Sequence, residues 1–449
     1  MVMEGKKCGV YSTYPKEHKD YEGGLRTKGV FKEGTSKYPL ITYITVVYNR
    51  KDTLEKCMNS VLSQDYSNIE YIVVDGASTD GTLDLIKKNA DKIDYYISQP
   101  DTGIYNAMNK GIALARGELI CFMNSDDICL PGTAKRVAEI YKKNDVDIIC
   151  GSRALYDKGK RVYEEKYPRF SIKRSVFRYV QMFHQATYAT REVFDKVGCF
   201  DEQYSLLADW IWESKAIDEK FRIYFTQEEF TGFSYDGASC KGIYQRDKEW
   251  IEWGKKTFPN MQEEDISFFI FCLDRGRHPL FDMKMTNKVA FQYYDDKKFV
   301  ETYYATVLVA CREQCTDIQS MGKGKEKYII KKIMKYKLEQ NFEIHNFDEL
   351  IEWLEIELAV VCDRNIDVQV SKQQLERLVL IRRCLNDIFY YLYLRKEKKK
   401  HSSKLDRMLR FSCYTLSKWA SRNVFLSRRF YITLRAIWSF GFKGKFVEN

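Results

Sequence analysis

The stretch Ile69-Glu70-Tyr71-Ile72-Val73-Val74 runs straight into Asp75-Gly76-Ala77-Ser78-Thr79-Asp80-Gly81. Its first half is apolar and β-rich, the length of a buried strand. Its second half is turn chemistry, in which Ser78 or Thr79 stands as the cap of a helix running through Lys88. The same unit recurs on both sides. Upstream, Leu40 to Val47 predicts a strand, and Asp52 to Leu62 a helix with Leu54, Cys57, Met58, Val61 and Leu62 at helical spacing. Downstream come a strand at Ile93 to Ile97 and a helix at Ile104 to Ala115. A strand at Leu119 to Met123, a helix at Thr133 to Lys142 and a strand at Val146 to Ile149 follow. Strand and helix taken in turn five times predict an α/β fold, a mainly parallel sheet flanked by helices. In such sheets ligands bind at the carboxyl ends of the strands. The residues expected there are Tyr48 and Asn49, then Asp75, then Asp101, then Asn124, Asp126 and Asp127. All are polar and four are acidic.

Further from this core the character changes. Residues 1–38 are polar and rich in Gly and Lys, and read as an arm before a domain spanning 39–258. Beyond Pro259 helical patterns dominate: Gln262 to Arg275, Lys288 to Cys315, Glu326 to Glu339, Asp348 to Val361 and Ser371 to Arg395. A helical domain over 259–400 is expected. Residues 401–449 form a basic, aromatic, amphipathic tail, and this tail holds most of the net charge of +10. The rest is close to neutral, which argues against a nucleic-acid-binding core. Cations interleaved with Phe411, Trp419, Phe430 and Trp438 suit an anionic bilayer surface, at about 1 kcal/mol per basic residue. No apolar run approaches the roughly 20 residues of a membrane span. The 13 cysteines are scattered, and no leader-like segment opens the chain. Reduced thiols and a cytoplasmic place, peripheral on the inner face of the membrane, are therefore expected.

Carboxylates gathered at strand ends repel a phosphate directly but bind one through a divalent cation held by their oxygens. Met123-Asn124-Ser125-Asp126-Asp127 supplies such a cluster after a buried strand. A dinucleotide-binding reading fails, because Tyr48-Asn49-Arg50-Lys51-Asp52 stands where a Gly-x-Gly-x-x-Gly turn would be. No Walker A pattern is present. Asp75-Gly76-Ala77 is not a calcium loop, since Ala77 lacks a ligand oxygen.

Four ordered segments carry a resemblance. They are ITYITVVYN, NIEYIVVDGASTDGT, SQPDTGIYNAMNKGIALARGELICFMNSDD and FHQATYATREVFDKVGCFDEQYSLLADW. Together they resemble a family 2 glycosyltransferase with the Rossmann-like GT-A fold, over about residues 20 to 245. The Gly23 to Arg26 element adds a likeness to the bacterial capsular and exopolysaccharide-assembly branch.

The resemblance implies an inverting enzyme. It would move a sugar from a nucleotide-sugar donor, a UDP-sugar by preference, to a glycan or lipid-linked acceptor. On the family's pattern Val46 and Tyr48 flank the base, with Asn49 beside them, and Asp75 accepts a hydrogen bond from the uracil N–H. Asp101 lies near the base and ribose. Asp126 is the metal-binding acid, for Mn2+ or Mg2+. Asn124 stands where many members carry the first Asp of that signature. Ser125 and Asp127 complete the donor loop, and His184 and Gln185 fit a donor- or acceptor-site pair. Asp209 matches the catalytic base that takes the proton of the acceptor hydroxyl. Trp210 is either a sugar-stacking ring or core. Two other readings are a metal-dependent nucleotidyltransferase, which lacks its basic Gly-rich triphosphate loop here, and a degenerate transferase fold acting as a scaffold.

Overall fold

The computed structural model describes residues 21–157, 159–165, 182–219, 221–234, 243–263, 265–266, 291–320, 326–334, 344–361, 369–382 and 384–385. The described residues up to Glu249 form one compact unit, and those from Trp250 onward belong chiefly to a second.

The first unit is built on one mixed sheet. Its parallel centre consists of β2 (Ile41–Val47), β3 (Ile69–Asp75), β4 (Tyr95–Ser98) and β5 (Leu119–Phe122), in the spatial order β4-β3-β2-β5. Every residue of β2, β3 and β5 is buried. Such continuous burial is expected of parallel strands covered on both faces. The register sets Val47 beside Asp75 and Asp75 beside Ser98, so these strands end level with one another.

Helices α1 (Lys51–Leu62), α2 (Thr82–Lys88), α3 (Ile104–Leu114) and α4 (Thr133–Lys143) connect the strands as the sequence predicts. On α1 the predicted residues Leu54, Cys57, Met58 and Val61 are buried in the core with Tyr43 and Tyr71. Helix α2 departs from expectation at its start. It begins at Thr82 after Gly81, whose φ is 92°, and neither Ser78 nor Thr79 caps it. Ser78 Oγ is bound to Asp75 and Asn49 instead, so a carboxylate outcompetes the helix end for it.

Beyond β5 the sheet turns antiparallel. β9 (Thr187–Thr190) runs against β5 and against β7 (Ile148–Asp157), which extends well past the predicted Ile149. β10 (Ile223–Ser234) lies parallel to β7. The short β6 (Ile128–Cys129) and β8 (Lys160–Glu165) pair with β10 and β7. Because β9 reverses direction, the residues just before it lie at the same end of the sheet as the carboxyl end of β5.

Residues from Tyr21 onward, read from composition as a polar arm, are tied down. β1 (Glu22–Gly23) pairs with β4, and the Leu25 and Arg26 N–H groups bond to the Ile93 and Asp94 carbonyls. Arg26 and Lys32 also compensate the buried carboxylates Glu70 and Asp94, which would be costly to bury unpaired.

The second unit is helical, as predicted beyond Pro259. It contains Lys297–Ser320, Glu326–Met334, Phe347–Val361 and a helix over 372–382. Of the apolar residues at helical spacing after Ser371, Leu375, Leu378, Ile381 and Leu385 are buried, and Ile388 lies outside the described residues. Among the described residues no helix is long and apolar enough to cross a membrane. The basic aromatic tail over 401–449 lies outside the described residues. Seven described cysteines are free thiols, but Cys199 is disulfide-bonded, contrary to the expectation of reduced thiols throughout.

Candidate active site

The loops after β2 and β3 are laced together by side chains. The Asn49 N–H donates to Ser78 Oγ at 2.8 Å, and Asn49 Oδ1 accepts the Thr79 N–H at 2.9 Å. The Arg50 N–H donates to Thr82 Oγ1 and the Lys51 N–H to Asp80. Asn49 and Ala77 both adopt positive φ, 49° and 64°, at the bends that make this lacing possible. Asn49 thus braces the loop.

Asp75 is fully buried at the end of β3. It accepts hydroxyl bonds from Ser78 and Ser98 at 2.5 Å each, and the Ser78 N–H at 3.1 Å. Next to it Gly76 sits in a tight cradle: a Cβ there would clash with Asp101 Oδ2 and meet the Tyr48 ring at 3.3 Å. Tyr48, Asp75 and Asp101 are therefore brought together around one glycine. Tyr48 presents its ring to solvent at 60% exposure, whereas Val46 is buried inside β2. Burial raises the Asp101 carboxyl above its usual range; the Gly103 N–H and Lys110 oppose this, and Asp75 adds to it. Lys110 also holds the loop from below, donating to the Pro100 carbonyl.

At the end of β5 lie Asn124, Ser125, Asp126 and Asp127. Asp126 is half-buried and Ser125 buried. Asp127 is buried, with Oδ1 accepting the Ser234 N–H at 2.8 Å. Asp127 Oδ2 and Asn124 Oδ1 are buried with no hydrogen-bond partner among the described residues. Burial, then the charge of Asp126, push the Asp127 carboxyl well above its ordinary range against the Ser234 N–H and Arg153.

After α5 (Arg191–Val197) comes α6 (Ala208–Asp218), whose second residue is Asp209, with Leu207 at the cap position. Its Oδ1 accepts the Tyr105 hydroxyl at 2.9 Å and the Trp210 N–H at 2.8 Å. Tyr105 belongs to the first turn of α3, directly after the Asp101 loop, so it joins the base candidate to the β4 end. His184, which lies before β9, stacks on Phe122 of β5 at 5.1 Å between centroids. Its Nε2 is buried without a hydrogen-bond partner among the described residues. Burial lowers its imidazole below the usual value, with Asp209 opposing. Gln185 is buried, and its carbonyl accepts from Thr231. Trp210 is buried, so it is core.

Three residues escaped the sequence reading. Arg153 on β7 lies between the rings of Phe183 and Phe233, 4.5 and 4.4 Å from their centroids. It opposes the upward shifts of both Asp127 and Glu213. Glu213 follows Asp209 by one helical turn and is buried. Glu249, from the helix Ile243–Thr257, accepts the Ser205 N–H and hydroxyl, the Leu206 N–H and the Gln245 amide. It thereby fixes the loop that leads into α6. No motif flags any of them, because each acts on residues far away in the sequence or across a helix turn.

Burial pushes the Glu249 carboxyl up, but the hydrogen bonds from Ser205, Gln245 and Leu206 outweigh it and leave it below its usual value. A lowered folded value stabilises above the unfolded value of about 4.3 and is lost as pH falls through the folded one. Glu249→Gln is therefore expected to lower thermal stability at neutral pH and to flatten its decline in acid. Melting curves from pH 7 to 3 check this, and parallel curves for the two chains would contradict it.

The family model for glycosyl transferase family 2 matches residues 42–200. A glycosyltransferase of Rickettsia typhi is 29% identical over 184 residues, 39% of this chain and 58% of its own length. Glycosyltransferase AglE of Haloferax volcanii is 27% identical over 209 residues, 43% and 66% of the two lengths. A PGL/p-HBAD biosynthesis glycosyltransferase of Mycobacterium tuberculosis is 29% identical over 177 residues, 38% and 67%. The chain thus spans well under two thirds of the Rickettsia relative. Among solved structures, S. aureus TarS 1-349 with UDP-GlcNAc gives a TM-score of 0.43 at 18% identity, covering 60% of this chain and 81% of that one. The mannosyltransferase PcManGT of Pyrobaculum calidifontis, in complex with GDP-Man and Mn2+, gives 0.40 at 14%, covering 74% and 88%. By the family match and the sequence relatives, residues 42–200 are similar to glycosyltransferase domains.

Proposed function

We propose that the chain transfers a sugar, with inversion, from a nucleotide donor to a glycan or lipid-linked acceptor in surface polysaccharide assembly. The observation that carries this reading is the meeting of Tyr48, Asp75 and Asp101 around Gly76, at the sheet end that also bears Asp126. Tyr105 joins Asp209 to the same end. A uracil ring would stack on exposed Tyr48 and donate its N–H to Asp75. That arrangement favours a UDP-sugar.

Asp126 is the oxygen ligand for Mn2+ or Mg2+, with Asn124 Oδ1, a buried acceptor lacking a partner, beside it. Among the described residues no group of three or more His, Cys, Asp or Glu stands ready to hold a cation. One protein carboxylate still fits, because Mg2+ is commonly held by one or two carboxylates together with substrate phosphates and water. When bound, the cation would offset charge on the departing diphosphate. Asp209 takes the acceptor proton as that hydroxyl attacks the anomeric carbon. Tyr105 and the Trp210 N–H hold its Oδ1, leaving Oδ2 for the acceptor. The basic tail would keep the enzyme peripheral on the cytoplasmic face of the membrane.

A thermal-shift screen of nucleotide sugars with Mn2+ or Mg2+ tests the donor. A UDP-sugar should stabilise the chain selectively, by about 2.7 kcal/mol at 100 times its Kd, and release UDP on turnover. Equal response to GDP- and CDP-sugars would remove the uracil reading. Binding without any release of diphosphate would favour the scaffold.

A further inference from the structure

Glu213 lies one turn after Asp209 on α6, so the two carboxyl groups share a helix face. It is 4% exposed. One carboxyl oxygen accepts the Met182 backbone N–H, and the other, Oε1, is buried without a hydrogen-bond partner among the described residues. Met182 opens the Met182–Gln185 segment, which carries His184 into the site. Phe183, next along, packs under the Arg153 guanidinium. His184 stacks on Phe122, meets Phe200 edge-on and lies within electrostatic reach of Asp209.

The geometry points to Glu213 as a positioning residue that fastens the Met182–Gln185 segment to the helix bearing the base, and so holds His184 against Asp209. It does so as the neutral acid. Burial and then Asp209 push its carboxyl well above the ordinary range, with the Met182 N–H and Arg153 opposing. Cys150 also faces it, as a buried thiol whose ionisation burial disfavours. A neutral Glu213 has no carboxylate to take a proton and burial disfavours an imidazolium at His184, which leaves proton acceptance to Asp209. A buried carboxyl kept in place of an apolar residue costs stability unless it orders something. Here it orders the segment beside the reacting groups.

This inference rests on the transferase reading of Asp209, so its test includes a readout that needs no turnover. Glu213→Gln keeps the shape and the acceptor oxygen, and should retain kcat within about twofold. Glu213→Met fills the volume but releases the Met182 N–H. Its kcat should fall about 10²-fold, as expected for a small displacement of reacting groups, while donor KM stays within about threefold. In protein labelled with 13C-histidine, the His184 ring signals, assigned by their loss in His184→Asn, should move in Glu213→Met and stay in Glu213→Gln. Equal loss of kcat in both variants overturns the proposal, because negative charge would then be what matters. An unmoved His184 signal in Glu213→Met overturns it whatever the turnover. An inert parent chain with the expected shifts counts against the transferase reading alone. Glu213→Gln decides the matter even where Glu213→Met does not fold: a loss beyond tenfold, roughly, refutes it.

Discussion

Asp209→Asn is expected to cut sugar transfer about 10³-fold while leaving donor affinity nearly unchanged, the range for removal of a general base. The substitution is isosteric. An asparagine Oδ1 still accepts the Tyr105 hydroxyl and the Trp210 N–H, so the start of α6 is preserved. What disappears is a carboxylate able to take a proton. Neither neighbour can replace it. Glu213 is held neutral by burial and by Asp209, and burial around the His184 ring disfavours its protonated form. The check is a paired measurement of diphosphate release with acceptor present and of donor binding by calorimetry. Transfer at the parent rate would mean that the base lies elsewhere.

Asp126→Ala should produce the second large effect, a loss of about 10² to 10³ in kcat, the range seen when one electrostatic partner of a developing anion is removed. Asp126 is the half-buried carboxylate of the β5 end, while Asp127 is committed to the Ser234 N–H and driven toward its neutral form. The two neighbours are therefore unequal. Asp126→Ala should abolish the response of turnover to added Mn2+ or Mg2+. Asp127→Asn should keep that response, and its damage should appear in thermal stability through the β10 contact. A metal titration of parent and both variants separates these outcomes. Equal metal response in parent and Asp126→Ala would strip Asp126 of its role.

The centre of the fold was legible because continuous apolar runs alternate with helical spacing from Leu40 to Ile149. Burial of both sheet faces leaves that pattern little freedom. The acidic strand ends were legible for the same reason: once the strands are placed, Asp75 and Asp126 can only fall at their carboxyl ends. Other features had no local signal. The lacing of Asn49 to Ser78 and Thr79 depends on two loops meeting in space, and it overrode the helix cap predicted from Ser78. Arg153, Glu213 and Glu249 act across sequence gaps that no spacing rule covers. The antiparallel β9, which brings His184 to the site, is only four residues long, too short to show a strand's alternation.

The two outer strands of the sheet have a bearing on solubility. A long strand with unpaired backbone groups is a template for aggregation. At one side β4 is covered at Tyr96 and Ile97 by the two-residue β1. At the other, β10 is capped among the described residues by β6, at Thr231 and Gly232. Its remaining length is kinked by register shifts between Phe225 and Thr231, and it carries Glu228 and Glu229, engaged by Arg136 and Arg161. Irregular backbone and paired charge make that flank a poor match for an incoming strand, so among the described residues this side of the sheet does not invite chains to stack on it.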